Sequence, residues 1–78
     1  MDEAQIYSRL TTVFEDVFDE EIKVAPGLSA KDVEGWDSLS HIRLILTTEK
    51  SFNIKFSVSE IGTLENVGDL VAVIKKRI

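Results

Sequence analysis

Ile6, Leu10, Val13, Phe14 and Val17 recur at helical spacing, while Glu3, Arg9 and Asp16 fall on the opposite side. This pattern predicts a first helix from about Asp2 to Val17 or Phe18, with Asp2 and Glu3 suited to its positive end. A second helical run begins at Leu39. Leu39, Ile42, Leu46 and Phe52, with Ile45 and Thr48 or Glu49 beside them, predict a helix from Ser38 to Ser51, ending before Asn53. Further on, Ser57 or Ser59 is suited to cap a short turn around Val58 to Ile61, which Gly62 limits. Thr63 offers another cap, for a last helix from about Leu64 to Lys76. Its inward stripe is Val67, Leu70, Val71, Ile74 and Ile78.

Residues 19–37 break the periodicity. Asp19-Glu20-Glu21 ends the first apolar stripe, and Pro26 and Gly27 stop any strand begun by Ile22-Lys23-Val24. The segment reads as a long connection pinned to the core by Ile22, Val24, Leu28 and Val33. Phe52 and Ile54 are placed to close the base of that core. Ile54 to Val58 alternates as a strand would, but a lone strand has no partner. The expected fold is all-α: a small four-helix bundle of three main helices and one short third helix. Residues 1–78 form one domain on this reading, since no isolated helix buries its stripe alone.

Composition narrows the function. The chain is 44% hydrophobic and 29% charged, which fits a globular fold rather than a disordered tail. It has no cysteine, so disulfides and thiolate nucleophiles are excluded, and one histidine, so a structural zinc site is not expected. The formal net charge is −5. Residues 1–21 hold seven acids against one arginine, whereas residues 38–54 and 55–78 each sum to +1. That balance argues against a nucleic-acid partner. Lys75-Lys76-Arg77 reads as a solvated helix end that suits the dipole. No apolar run approaches membrane-spanning length and no signal-peptide pattern opens the chain, so a cytoplasmic protein without stable membrane insertion is expected.

The chemistry concentrates in Gly35-Trp36-Asp37-Ser38-Leu39, where Asp37 or Ser38 is the expected N-cap of the second helix. A serine there faces unpaired backbone N–H groups and the positive end of the dipole, both of which favour a phosphate on its oxygen. Taken alone, a serine at a helix start is ordinarily just a cap. No glycine-rich phosphate loop with an adjacent lysine points to bound nucleotide. Asp37, Ser38 and His41 make no hydrolytic triad, because nothing orients a base or defines a substrate proton. His41, one turn from Ser38, reads as an exposed or partner-contacting side chain.

With these motifs the chain resembles the acyl carrier and peptidyl carrier protein superfamily. The resemblance rests on Gly35-Trp36-Asp37-Ser38-Leu39, the following Ile42 and Leu46, Glu49 through Phe52, and Thr63-Leu64-Glu65-Asn66-Val67 leading into Leu70 and Ile74. It covers essentially the whole chain. It implies that Ser38 takes a covalent 4′-phosphopantetheine, derived from coenzyme A, whose thiol holds acyl groups as thioesters. The chain would then be a carrier, not an enzyme. Its implied partners are a phosphopantetheinyl transferase, an acyl-loading ligase or acyltransferase, and downstream acyl-transfer or condensing enzymes, met transiently by a monomer.

Around Ser38 several roles stay open. Asp37 either caps the helix or contacts a partner. Trp36 either packs the loop onto the core or meets the arm or a partner, with packing the default. Leu39 and Ile61 are expected to flank the arm, although a core role competes for Leu39. Fatty-acid carriers commonly present an acid-rich second helix to basic enzymes. Here the corresponding exposed stretch is read as Ser40, His41, Arg43, Thr47, Thr48, Glu49 and Lys50, nearly balanced in charge, and Arg43 would repel a basic partner. A specialised pathway, polyketide-like or another acyl transfer, is therefore expected rather than housekeeping fatty-acid synthesis. An aminoacyl or peptidyl carrier uses the same attachment chemistry. A helical interaction module, with Ser38 only a cap, is the reading from a different class.

Overall fold

The computed structural model describes residues 1–78 as four helices: α1 (Glu3–Phe18), α2 (Ser38–Phe52), α3 (Val58–Thr63) and α4 (Val67–Arg77). Helix α1 starts where the sequence places it. Asp2 Oδ1 accepts the Gln5 N–H at 2.9 Å and Gln5 Oε1 accepts the Asp2 N–H at 2.9 Å, a reciprocal cap for two otherwise orphaned donors. The helix ends at Asp19, whose left-handed backbone returns its N–H to the Glu15 carbonyl. Ile6, Leu10, Val13, Phe14 and Val17 are all buried and form one wall of the core.

Helix α2 is set differently from the expected stripe. Leu44, Ile45, Thr48 and Phe52 face inward. Leu39, Ile42 and Leu46 face out, 77%, 48% and 56% exposed. Both sets have helical spacing, so periodicity alone does not choose between them. Burying the Leu44 side delivers Phe52 and the following Ile54 and Phe56 into the same core. Thr48, expected on the exposed stretch, is fully buried, and its hydroxyl donates to the Leu44 carbonyl at 2.7 Å, leaving no orphaned polar atom. Asn53 closes the helix in left-handed geometry.

Residues 54–57 form no strand. The Phe56 N–H instead donates to Glu49 Oε2 at 2.7 Å, tying the connection to the end of α2. Ser57 then caps α3 in a reciprocal box with Glu60. The short helix passes through Gly62 to end at Thr63, two residues beyond the expected Ile61. Helix α4 correspondingly starts at Val67 and not Leu64, because Asn66 rather than Thr63 supplies the cap, accepting the Asp69 N–H at 2.9 Å. Val67, Leu70, Val71 and Ile74 are buried as expected, but Ile78 is half exposed beyond the last turn.

The long connection does more than lay side chains on the core. Ile22 and Val33 are buried, and Val24 and Leu28, partly buried, pack against the core. Its carbonyls also complete α4: the Val67 N–H donates to Leu28 and the Gly68 N–H to Pro26, each at 2.9 Å. Gly68 permits this approach. A Cβ there would lie 3.1 Å from the Pro26 oxygen.

Candidate functional site

The turn before α2 is built by Gly35, whose φ of +91° is open to glycine and strained for other residues. It brings the Gly35 carbonyl over the first turn of α2. Asp37 is the cap: its Oδ1 accepts the Ser40 N–H at 3.0 Å, and the Asp37 N–H donates to Ser40 Oγ at 2.9 Å. The Ser40 hydroxyl hydrogen is shared between the Gly35 carbonyl and Asp37 Oδ1. The Ser40 N–H, and after it the Ser40 hydroxyl, hold the Asp37 carboxyl below its ordinary value. Ser40, not Ser38, therefore shares the capping with Asp37.

Ser38 is left free by this arrangement. It is the first residue of α2, exposed, and its hydroxyl takes no part in the cap network. It sits at the positive end of a 15-residue helix. Beside it runs an open groove of about 400 Å³ between the start of α2 and α3. Trp36, Asp37, Ser38, His41, Ile42, Ile61 and Leu64 are among the residues that line it. A free hydroxyl at a helix start, next to a largely apolar groove, fits a phosphodiester followed by a flexible chain.

Trp36 packs, and also lines the groove. Its ring is half-buried, edge-on to Phe14 at 5.5 Å between centroids and tilted against Phe18 at 6.0 Å. Its Nε1–H donates to His41 Nδ1 at 3.1 Å. Because Nδ1 accepts, the ring hydrogen of neutral His41 lies on Nε2, which faces the Ile61 carbonyl at 3.4 Å. His41 thus links the loop before Ser38 to α3, which corrects its expected role as an exposed side chain.

Of the candidate residues, Trp36, Asp37, Ser38 and Ile61 meet at one groove. Leu39 and Arg43 do not. Both project to solvent on the outer face of α2. His41, Ile42 and Leu64 were not among the candidates. His41 and Ile42 follow Ser38 by three and four residues, so helical geometry places them on its side. Leu64 had no such signal, because it belongs to the turn between α3 and α4.

No protein-family model matches the chain. Among solved structures, it is similar to the holo acyl carrier protein from Geobacter metallireducens, determined in solution by NMR. The two are 41% identical, with a TM-score of 0.85, over 92% of this chain and 84% of the other. At that identity and coverage, with the same arrangement of helices, the chain belongs to the acyl carrier proteins, which hold cargo for enzymes rather than convert it themselves.

Proposed function

We propose that Ser38 is the attachment point of 4′-phosphopantetheine and that the chain carries acyl groups for enzymes of a specialised biosynthetic pathway. The observation that carries the attachment is the free Ser38 hydroxyl at the first position of α2, with Asp37 and Ser40 already satisfying the helix start. Ser38 Oγ would displace the nucleotide portion of coenzyme A from phosphorus, its proton passing to a base on the transferase. The bound group supplies a thiol to which an acyl chain is held as a thioester. The chain's own residues do the rest. The N–H groups at the α2 start favour the phosphodiester charge, and Trp36, Ile42, Ile61 and Leu64 offer apolar surface beside it.

A specialised pathway is supported by the outer face of α2, where Arg43 and Lys50 stand exposed in place of an acidic surface. Loading would fall to a ligase or acyltransferase and consumption to condensing or acyl-transfer enzymes. Intact-protein mass spectrometry with peptide mapping, after incubation with coenzyme A and a broad-specificity phosphopantetheinyl transferase, tests the attachment. One phosphopantetheine on Ser38 is expected. Folded protein left unmodified beside a modified control, or modification of Ser38→Ala, overturns it.

A further inference from the structure

The exposed stripe of α2 has a consistent character along its length. Leu39, Ile42, Arg43, Leu46 and Lys50 follow one another at steps that keep them on one side of the helix, and all five are exposed. The two ion pairs of the structure join Lys75 to Glu3 and Arg77 to Glu60, so Arg43 and Lys50 have no carboxylate partner. The one acid within α2, Glu49, is half-buried and accepts the Phe56 N–H at 2.7 Å, beside the C-terminal end of this stripe. Lys55 extends the positive charge past the helix end, bordering with Leu46, Glu49 and Lys50 a shallow hollow of about 390 Å³ in which two lysines face one glutamate.

This positive face runs against the charge of the whole chain, which is −5. Half the acids lie within residues 1–21, on α1 and the turn after it. Three apolar side chains in solvent, flanked by two unpaired cations and opening at Ser38, form a surface with an apolar centre and a basic rim. We infer that α2 docks enzymes whose matching surface has an apolar centre rimmed by aspartates and glutamates, a role that rests on the carrier function proposed above. A basic enzyme would face Arg43 and Lys50 with like charges, which slows encounter and disfavours the bound state.

The test is a charge swap on apo protein, so that binding does not depend on the prosthetic group. The probe is a fatty-acid ketosynthase with an arginine-lined carrier-docking patch, together with a version in which those arginines are glutamates. Amide shifts of 15N-labelled protein give the affinities, for wild type and for the doubly substituted Arg43→Glu/Lys50→Glu protein. Wild type is expected to bind the glutamate version ~10-fold more tightly than the arginine version, and the double variant to reverse that order. Raised salt should shrink both differences. Equal preference in wild type and variant, or no binding of wild type to the glutamate version, overturns the inference. An unchanged urea midpoint verifies that the variant is folded. Phosphopantetheine addition at Ser38 is read separately: charge-dependent binding without addition sinks the attachment alone, and addition with charge-blind binding sinks the acidic docking alone.

Discussion

Removing the His41 ring should loosen the groove beside Ser38 by an amount the structure sets. His41→Ala deletes the acceptor 3.1 Å from Trp36 Nε1 and the contact between Nε2 and the Ile61 carbonyl. A half-buried indole N–H losing its partner costs about 1–3 kcal/mol, and the 3.4 Å contact adds little at that distance. With a urea slope of about 1 kcal/mol/M for so small a protein, the midpoint falls by roughly 1–3 M. Trp36→Phe removes the donor while keeping a ring against Phe14 and Phe18. The double variant then isolates the hydrogen bond, with a coupling of about 0.5–1.5 kcal/mol. Far-UV circular dichroism follows all four proteins, since two lack the indole. A coupling under about 0.3 kcal/mol, within the scatter of independent sites, would refute the Trp36–His41 link.

The rotation of α2 is tested by contrast: Leu44→Ala, at a fully buried position, should lose about 2–5 kcal/mol in urea unfolding, and Leu46→Ala, on the outer face, under about 0.5. Ser38→Ala should abolish phosphopantetheine addition while leaving the unfolding free energy in urea within about 0.5 kcal/mol of wild type, because Asp37 and Ser40 hold the cap. Gly68→Ala, read by Tm, should fail to add the full ~1 kcal/mol that this exchange gives in a helix, because the new Cβ lies 3.1 Å from the Pro26 carbonyl oxygen and 3.2 Å from Asn66 Oδ1. The Arg77 guanidinium, followed by the Ser57 N–H, pulls the Glu60 carboxyl down to about 2. A depressed carboxylate stabilises the fold fully above its unfolded pKa and loses that contribution as pH falls through the folded one. The gap in urea midpoint between wild type and Arg77→Gln should therefore persist at neutral pH, narrow below the ordinary glutamate range and close near pH 2. A gap that stays constant through that range would contradict the pairing.

How far the sequence could be read depended on whether a residue's partners lie nearby in the chain. The α1 stripe was legible because Glu3, Arg9 and Asp16 mark its wet side unambiguously, and Asp2 caps within its own turn. In α2 two apolar stripes compete, and the choice rests on Phe52, Ile54 and Phe56 reaching the core together. The start of α4 was misplaced because Thr63 and Asn66 are both competent caps. What favours Asn66 is remote, namely the Pro26 and Leu28 carbonyls arriving from the long connection. At the site, Trp36, Asp37 and Ser38 were readable as a local motif. The role of His41 was not, because the Ile61 carbonyl it faces comes from a different helix.

Trp36 is the only tryptophan in the chain, and its ring forms part of the groove wall beside Ser38. The fold therefore contains its own optical reporter. A chain settling against Ile61, or a shift of α3 relative to α2, changes the polarity around a single indole, and no second tryptophan dilutes the signal. Emission wavelength and quenching can follow groove occupancy in unlabelled protein, in real time, as cargo is loaded and passed on.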